Sequence, residues 1–579
     1  MTLPVPGFAA HLADRPEDIA LVRCRRGTSR TTTRGELVRD AHALAEKLHE
    51  AGVRPGHKAV VMTRDAHDLT ALAYALGVLG AVPVLIEPRA EVGRCLEDVA
   101  PDVFIGEPLA HLGRRVLGWG RTHVRVPLVT RAAPRALGER LTVPGQRNGG
   151  PAGRPGGSDP SGPPPPPDLS PPSLLSPPSL LSPPSLLSPP SLLSPPSLLS
   201  PPEALSLRPE DPEGDPLAMI AFTSGSTGRP KGAEYRHSTL AGQIAALRTL
   251  LDPRPEDVLL AGFLPIALLG PLLGPATVVP AVNHLAPART RPEEILGPIL
   301  RHRVTTILAS PAVLGLLAGH CARHRLTLPT VRQILSFGAP LRTGLADALR
   351  AAVPAEAEVL SVYGATECLP VSACDDHALR AARAEPPAGQ AGTCLGRPLP
   401  GVHARILDAD ATGLGEIAVA GPTVSPAYHA RPEADAATKS VTDHGVLHRT
   451  GDLGRLDEEG RLWFLGRKAH LVTGTGFTLP TEDIEAAADT APGVRRTALV
   501  GAGPAVCQLP VLCVEVEPSA SRPEALAAVR AVLAEHPEGH RVGAVLPHRR
   551  FPVDPRHNSK IDRMRLAGWA TRRLRGRLR

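Results

Sequence analysis

The sequence predicts an α/β protein with a large N-terminal domain and a smaller α+β C-terminal domain. Helical periodicity alternates with short apolar strands through residues 1–142, and the same alternation resumes from 214 to 466. This pattern is typical of a mostly parallel sheet covered by helices. A last block, 467–570, has strands and a helix of its own and is long enough to form a small separate domain.

Individual elements follow from the spacing of apolar residues. Apolar positions three and four apart predict helices, whereas short apolar runs beside turn residues predict strands. In chain order we expect a helix at 34–51, a strand at 58–62, a helix at 69–79, a strand at 80–86, a buried strand at 217–222, strands at 496–500 and 511–516, and a helix at 523–535.

Residues 143–213 interrupt the α/β pattern. A proline run occupies 163–167, and the unit Pro-Pro-Ser-Leu-Leu-Ser then repeats five times across 171–200. Such a biased composition cannot bury enough apolar surface to form a core. The insert is therefore predicted to be a disordered linker, and a docking strip for a partner is the alternative interpretation.

One uncharged segment has the length of a membrane span. Residues 258–282 carry no charge, but they include four prolines, which would break a spanning helix repeatedly. We expect buried core strands and turns around an apolar pocket there.

Charge and cysteine usage limit the classes of partner. The net charge is +7, but the C-terminal tail, 571–579, contributes five arginines and leaves about +2 for the remainder. Nucleic-acid binding is therefore not indicated. The tail is expected to be solvated, with contact to acidic lipid headgroups as the alternative. Eight cysteines without a Cys-x-x-Cys pair, and a start that does not resemble a signal peptide, favour a cytoplasmic protein.

The most informative motif follows the apolar run at 217–222. It reads Thr-Ser-Gly-Ser-Thr-Gly-Arg-Pro-Lys-Gly across 223–232. Glycines allow close backbone approach to an anion, and hydroxyls with successive N–H groups can cradle phosphate oxygens. Lys231 adds a point charge. Because proline precedes this lysine and glycine follows it, the motif is not a Walker loop.

Four further motifs lie downstream in the chain. Ser-Phe-Gly-Ala-Pro at 336–340 is a turn of small residues, and Tyr-Gly-Ala-Thr-Glu at 363–367 combines a ring, a hydroxyl and a carboxylate suited to a base, a phosphate and Mg²⁺. The other two are Arg-Thr-Gly-Asp-Leu-Gly at 449–454 with Gly-Arg-Lys at 466–468, and the C-terminal string Arg-His-Asn-Ser-Lys-Ile-Asp-Arg at 556–563.

In this order the five motifs resemble the adenylate-forming (AMP-binding) superfamily, which includes the acyl-CoA synthetases. The resemblance implies an adenylate-forming fold with a mobile C-terminal lid at 467–570, after the core at 214–466. It implies catalytic roles for Thr223, Lys231, Glu367 and Lys560, with Glu367 also binding the metal. It implies nucleotide binding by Thr223, Ser224, Gly225, Ser226, Thr227, Gly228, Lys231, Gly338, Ala339, Pro340, Tyr363, Gly364, Thr366, Asp452 and Arg467.

Several strings resemble one branch of that superfamily, the olefin β-lactone synthetases, which activate a 3-hydroxy fatty acid and close it to a lactone. These strings occupy 231–237, 365–371, 448–454, 466–470 and 551–558. The absence of an acidic residue from 259–268 disfavours an α-amino acid substrate and favours an apolar acyl chain. Intramolecular attack requires no second-substrate site.

The hinge departs from the wider family. Many relatives have an acidic residue or lysine two positions after the arginine, where this chain has Ala469 followed by His470. The family resemblance implies ATP and Mg²⁺ as cofactors, whereas Ala469 puts a role for CoA in doubt. His237 and His470 are candidate bases for the β-hydroxyl, although a structural or solvent-facing role is the simpler interpretation of each.

The alternatives left open by the sequence are a fatty acyl-CoA ligase, a ligase that loads a carrier protein, and an inactive scaffold relative. The expected partners are a small-molecule fatty acid and enzymes of the same pathway. No oligomeric state is specified.

Overall fold

The computed structural model describes residues 12, 14–25, 27–86, 91–131, 134–143, 214–223, 229–283, 286–384, 392–505, 507–553 and 561–575, and these belong to one compact unit. The predicted insert from 144 onward, the loop residues 224–228 and Lys560 lie outside the described residues.

The described strands and helices alternate through most of the chain. The strands are β1 Ile19–Arg25, β2 Thr28–Thr33, β3 Lys58–Met62, β4 Val82–Leu85, β5 Val103–Gly106, β6 Val126–Val129, β7 Glu139–Arg140, β8 Leu217–Thr223, β9 Lys231–Arg236, β10 Val258–Ala261, β11 Ala276–Val279, β12 Thr306–Ala309, β13 Gln333–Phe337, β14 Glu358–Ala365, β15 Cys368–Asp375, β16 Thr393–Pro398, β17 His403–Leu407, β18 Gly415–Ala420, β19 Lys439–Thr442, β20 Gly445–Leu456, β21 Leu462–Arg467, β22 Val472–Gly474, β23 Phe477–Leu479, β24 Val494–Ala502, β25 Leu509–Val516 and β26 Ala544–Pro547. The helices are α1 Arg34–Glu50, α2 Ala66–Leu79, α3 Val92–Val99, α4 Pro108–Leu117, α5 His237–Leu251, α6 Leu264–Leu273, α7 Glu293–Arg301, α8 Pro311–His324, α9 Thr343–Arg350, α10 Asp376–Ala384, α11 Pro432–Thr438, α12 Glu482–Ala488, α13 Arg522–Glu535 and α14 Arg563–Arg573.

Two large sheets form the N-terminal part. The first has seven strands in the order β7-β6-β5-β3-β4-β8-β9, all parallel except the β8–β9 hairpin. The second has fourteen strands in the order β17-β18-β20-β21-β16-β15-β14-β13-β12-β10-β11-β1-β2, with β19 paired to β20. Its strands β10 to β14 are parallel, and the strands from β15 to β21 are antiparallel. The α/β class predicted from the sequence is confirmed.

The largest core cluster contains residues of both sheets and of the helices α1, α2, α5 and α6. Helix α2 is apolar on all sides, and every residue except Gly77 is buried. Two of its polar groups bond to α6: the Thr70 hydroxyl donates to the Ala267 carbonyl at 3.3 Å and the Tyr74 hydroxyl to the Leu268 carbonyl at 2.9 Å. These helices therefore connect the two sheets through a shared core.

The C-terminal block begins after β21. Its strands β24, β25 and β26 form a separate sheet, and α12, α13 and α14 pack against it around two cores of its own. One attachment to the N-terminal part is an ion pair in which Arg342 Nη1 lies 2.5 Å from Glu482 Oε1. The same carboxylate oxygen accepts the Thr393 hydroxyl at 2.7 Å.

Most sequence-based elements are confirmed, with one correction. Helices α1, α2 and α13 and strands β3, β4, β8, β24 and β25 overlap the predicted ranges. The uncharged segment 258–282 was predicted to hold only strands and turns, but it contains helix α6 between β10 and β11. Pro265 lies in the first turn of α6, where an N–H is not needed, and Pro271 lies near its end. Among the described residues, no helix is long and apolar enough to cross a membrane.

Gly396 provides a test of close packing in the central sheet. It lies at a register shift of β16 with φ +76°, and a Cβ there would lie 1.9 Å from the Ala373 carbonyl oxygen. We expect Gly396→Ala to lower the free energy of unfolding by about 3 kcal/mol or more, because backbone strain and overpacking add. Gly413 also has φ +76° but open space around it, so Gly413→Ala should cost only about 1 kcal/mol. Equal costs in urea unfolding would contradict the packing argument.

Candidate active site

The predicted phosphate loop is the connection of the β8–β9 hairpin. Thr223, whose backbone ends β8, is paired with Lys231, the first residue of β9. Residues 224–228 of the loop and the Thr223 side chain lie outside the described part. Gly232 follows Lys231, and a Cβ at this position would lie 2.9 Å from Ile220 and 3.0 Å from Phe222. A glycine is thus required where the loop re-enters the sheet.

An ion-pair bridge fixes the base of this hairpin. Asp98 in α3 accepts Arg229 Nη2 at 2.5 Å through one oxygen and Arg431 Nη2 at 2.6 Å through the other. The Asp98 side chain is largely buried, at 10% exposure, which strengthens both charge-assisted bonds. Through Asp98, these bonds connect Arg229, near the end of the 223–232 motif, to the distant segment around residue 431.

The segment 424–431 joins the hairpin to the predicted Tyr-Gly-Ala-Thr-Glu motif. On one side its backbone bonds to β9: the Glu234 N–H donates to the Ala427 carbonyl at 2.9 Å and the His429 N–H to the Gly232 carbonyl at 2.7 Å. On the other side, the Ser425 N–H donates to the carbonyl of Glu367 at 2.8 Å. Two sequence-predicted motifs, more than one hundred residues apart, are thereby brought together.

Tyr428 lies at the centre of this junction. Its hydroxyl donates to Glu367 Oε1 at 2.6 Å. Two ammonium groups lie over its ring, Lys231 Nζ at 4.7 Å and Lys439 Nζ at 5.1 Å from the ring centroid. Lys439 also donates to the Ser425 carbonyl at 2.6 Å. A carboxylate, a phenol and two ammonium groups are therefore arranged around one aromatic ring.

Burial and neighbouring charges set the protonation of this cluster. Burial and the Glu367 carboxylate raise the pKa of Tyr428, so its hydroxyl remains a donor. Burial, together with the Lys231 charge, lowers the pKa of Lys439 although Glu367 opposes the shift. His448 is 3% exposed, and burial with the charge of Lys439 lowers its pKa to about 4, which leaves it neutral at pH 7.

A second group of predicted residues lies where β13 and β14 end. Phe337, the last residue of β13, pairs with Val362, so that Gly338 and Tyr363 follow at neighbouring positions of parallel strands. Gly338 has φ +90°, which favours glycine, and Ala339 and Pro340 complete the turn. Ligands of open α/β sheets bind outside such carboxyl ends.

The same edge carries an aspartate. The Tyr363 hydroxyl donates to Asp452 Oδ2 at 2.8 Å, and Arg467 Nε lies 3.1 Å from Asp452 Oδ1. Asp452 in β20 and Arg467 in β21 are direct partners in the sheet register. The structure therefore brings together three residues to which the family resemblance assigned nucleotide binding, from three separate stretches of the chain.

The turn between β14 and β15 completes this part of the site. The Tyr235 hydroxyl donates to the Thr366 carbonyl across the two large sheets. Gly364 cannot carry a side chain in this conformation, because a Cβ would lie 2.6 Å from Leu369 Cδ1 and 2.9 Å from the Cys368 carbonyl. The predicted Thr366 and Glu367 follow directly, so their backbone is held by both sheets.

The two candidate histidine bases lie in unfavourable positions. His237 begins α5 at the far end of β9 from Lys231, about 20 Å away for six extended residues. His470 follows the hinge turn, where burial and the charges of Arg563 and Arg467 lower its pKa to about 3. An imidazole that accepts a proton only in strong acid is a weak general base at neutral pH.

The predicted Lys560 lies outside the described residues, but its neighbours are fixed. Val553 and Ile561 form a β-bridge on either side of it. Arg563 donates to both oxygens of Glu485, at 2.5 and 2.7 Å, and to the Leu499 carbonyl at 2.9 Å. The segment that carries Lys560 is thus anchored at both ends to the C-terminal block.

Comparison with known proteins decides the family. The family model described as "AMP-binding enzyme" matches residues 8–429. The chain belongs to the AMP-binding enzyme family. As a member of this family it is an adenylate-forming enzyme, and the match includes the hairpin of β8 and β9, the Glu367 turn and the segment around Tyr428.

Two relatives are similar to this AMP-binding enzyme over almost its whole length. The olefin beta-lactone synthetase of Xanthomonas campestris is 36% identical, with 96% of this chain and 95% of that protein covered. The olefin beta-lactone synthetase of Stenotrophomonas maltophilia is also 36% identical, with 97% and 96% covered. The amide bond synthetase McbA of Marinactinospora thermotolerans has the same fold, with a TM-score of 0.72 at 24% identity over 98% of this chain and 100% of that one.

Sequence reasoning missed Tyr428, Lys439 and His448. Residue rarity was an available signal, because the chain has only four tyrosines and six lysines. Three of the four tyrosines, Tyr235, Tyr363 and Tyr428, donate to Thr366, Asp452 and Glu367. A buried tyrosine requires a hydrogen-bond partner for its hydroxyl. In a chain with few aromatic residues, each tyrosine is therefore a candidate for a specific hydrogen bond.

The role of Tyr428 can be tested by removing only its hydroxyl. We expect Tyr428→Phe to lower the rate of acyl-adenylate formation about tenfold or more, because a hydrogen bond to the half-buried Glu367 carboxylate is lost while the ring under both lysines remains. ATP–pyrophosphate exchange measures this rate.

Tyr74→Phe is the matched control for this experiment. Tyr74 is also buried and bonded to a carbonyl, but it lies between α2 and α6. It should change the melting temperature and leave exchange nearly unchanged. Equal exchange rates for Tyr428→Phe and the wild type would contradict the assignment.

Proposed function

We propose that this enzyme activates a 3-hydroxy fatty acid with ATP to the acyl adenylate and then closes it to a β-lactone. The similarity to two olefin beta-lactone synthetases over nearly the full length of the chain carries the proposal. Family membership alone supports adenylation and leaves the acceptor of the acyl group open. Similarity that extends through the hinge and the C-terminal block supports the lactone-forming branch.

In the first half-reaction the fatty-acid carboxylate attacks the α-phosphorus of ATP, and the bond to the β-phosphate breaks to release pyrophosphate. We assign the phosphates to Thr223, 224–228 and Lys231. Lys231 and Lys439 form no ion pair with a carboxylate within the described ranges, so their charges are available to a polyphosphate. This arrangement fits the anion that the reaction releases.

The nucleoside is assigned to the edge formed by β13, β14, β20 and β21. Gly338, Ala339, Pro340 and Tyr363 would contact adenine, and Asp452 would accept the ribose hydroxyls. Its carboxylate is held by Tyr363 and Arg467 and is 5% exposed, so it is fixed in orientation before a ligand arrives. Gly364 and Thr366 would lie beside the α-phosphate.

The residues around Glu367 fit Mg²⁺. Mg²⁺ is usually held by one or two carboxylates together with substrate phosphates and water. Glu367 supplies such a carboxylate and, with one oxygen held by Tyr428, keeps its other oxygen for a ligand. When bound, Mg²⁺ would neutralise charge on the phosphates. Tyr428 would orient the carboxylate for that purpose.

Lys560 is assigned to the transition state of adenylation. A carboxylate that attacks a phosphate must overcome repulsion between two anions, and a preorganised ammonium group offsets that repulsion. Val553 and Ile561, which flank its segment in sequence, and Arg563 are bonded within the described part of the C-terminal block.

In the second half-reaction the β-hydroxyl oxygen forms a bond to the acyl carbon, the bond between that carbon and the AMP phosphate oxygen breaks, and the hydroxyl proton is released to water. No second substrate enters, since the nucleophile is already attached. The acyl chain is assigned to the apolar elements β10 and α6, which carry no charge from Val258 to Leu273. Ala469 at the hinge, in place of an acidic residue or lysine, distinguishes this chain from CoA-forming relatives.

Product analysis tests the acceptor. With ATP, Mg²⁺ and a 3-hydroxy fatty acid, we expect a β-lactone and AMP in the absence of CoA, identified by mass spectrometry. The fatty acid without the hydroxyl should stop at the acyl adenylate. A thioester that forms only with CoA would overturn the lactone assignment and leave adenylation intact.

Lys560 can be tested by separating the half-reactions. We expect Lys560→Ala to reduce acyl-adenylate formation by about a hundredfold or more, since it removes a charge from the transition state, and to spare conversion of a supplied acyl adenylate. Lys47→Ala, which changes an exposed lysine on α1, is the control. Equal losses in both half-reactions would refute the role in adenylation.

A further inference from the structure

Helix α4 faces the solvent with its apolar side. Leu109, Leu112 and Val116 are spaced three and four residues apart and therefore share one face of the helix. Their exposed fractions are 61%, 50% and 71%, and the last residue of the helix, Leu117, is 62% exposed. A helix on a globular protein normally turns its apolar stripe inward, so this orientation is reversed.

The inward side of α4 carries its polar residues instead. His111 is the only residue of the helix that is fully buried, and its Nε2 lies 2.9 Å from the Leu128 carbonyl oxygen. The guanidinium of Arg114 lies 5.7 Å from the centroid of the Phe104 ring. Because specific contacts of His111 and Arg114 fix the rotation of the helix, the exposed apolar stripe is part of the native packing.

Positively charged residues are frequent in α4 and in the segment that follows it. The sequence from 108 to 138 contains six arginines and no aspartate, glutamate or lysine. Arg115, Arg121 and Arg125 are exposed, and none of them forms an ion pair with a carboxylate in the part of the chain that the structure describes. Arg121 donates to the Arg115 carbonyl at 3.2 Å, which holds the turn after α4 beside the helix.

We propose that the α4 face, defined as Leu109, Leu112, Val116 and Leu117 with Arg115, Arg121 and Arg125, docks on an anionic membrane surface. Exposed apolar side chains gain free energy when they enter the boundary between headgroups and acyl chains. Arginines beside them bind lipid phosphates through paired hydrogen bonds. A protein partner would also cover the apolar stripe, but unpaired arginines without an acidic neighbour in sequence complement an anionic surface specifically.

The proposal is independent of the reaction. It assigns a surface of the seven-stranded sheet, since α4 follows β5, whereas the candidate active site lies at the β8–β9 hairpin and the ends of β13 and β14. Docking through α4 would place the enzyme where long-chain fatty acids partition. The surface can therefore be altered without touching residues assigned to nucleotide binding.

Vesicle flotation of the full-length protein tests the proposal. With vesicles of phosphatidylcholine and phosphatidylglycerol, we expect the wild type to float, and to float less as salt increases or when phosphatidylglycerol is omitted. The double variant L112D/V116D should bind at least about tenfold more weakly, because it puts charge in the apolar stripe. Arg115→Gln should weaken binding about fivefold.

Leu300→Asp is the matched control, because Leu300 lies on α7 and is 50% exposed, the same as Leu112. It should bind vesicles like the wild type, and all variants should retain ATP–pyrophosphate exchange as evidence of folding. The proposal is overturned if the wild type does not float, if L112D/V116D floats as well as the wild type, or if Leu300→Asp loses binding equally. It is also overturned if light scattering shows that L112D/V116D only dissociates an oligomer, since the face would then be a protein interface.

Discussion

The hydrogen bond from Tyr428 to Glu367 is the contact on which the geometry of the site depends. Tyr428 belongs to a segment that bonds through its backbone to β9 on one side and to the Glu367 turn on the other. The hairpin that begins at Thr223 belongs to the seven-stranded sheet, whereas Glu367 belongs to the fourteen-stranded sheet. Without this segment, the β8–β9 hairpin and the carboxylate would be positioned by the bond from Tyr235 to the Thr366 carbonyl and by the packing of apolar helices between the sheets. Apolar packing is not directional, so a bond of defined length is needed to fix the distance between the two groups.

Two lysines and one carboxylate surround the ring of Tyr428, so positive charge is in excess in this cluster. Lys231 and Lys439 share one aromatic ring; burial lowers the pKa of Lys439, and repulsion from the charge of Lys231 adds to that shift. The ring and one carboxylate offset part of that repulsion. A polyphosphate would supply the remainder. Binding of such a ligand therefore relieves an electrostatic cost that the fold maintains through burial. His448 lies next to this cluster and is neutral at pH 7, because burial and the charge of Lys439 lower its pKa. A protonated imidazole there would add to the repulsion between the two lysines.

Features that neighbouring residues specify could be predicted from the sequence, whereas contacts between residues far apart in the chain could not. The strand before the loop, the turn at 336–340 and the Tyr-Gly-Ala-Thr-Glu turn are each specified by neighbouring residues, so their chemistry could be inferred from short strings. Tyr428 acts through contacts with Glu367, which lies 61 positions away, and with Lys231, which lies further away in the chain. Lys439 reaches the same cluster through the ring of Tyr428. No periodicity encodes such contacts. Helix α6 was not predicted for another reason. Proline usually indicates a broken helix, but a proline in the first turn costs no hydrogen bond.

The C-terminal block is attached close to the strand end that leads into the turn at 336–340. Arg342 lies two residues after Pro340, the end of the turn assigned to adenine, and it binds Glu482 at 2.5 Å and Asp489 at 3.5 Å in the block. Burial raises the pKa of Asp489 to about 6 even with Arg342 beside it. Folding therefore binds a proton on Asp489 between about pH 4 and 6, and this group contributes less to stability as the pH rises through that window. Above it, Arg342 faces two carboxylates, and one guanidinium group joins the segment after the turn at 336–340 to the C-terminal block.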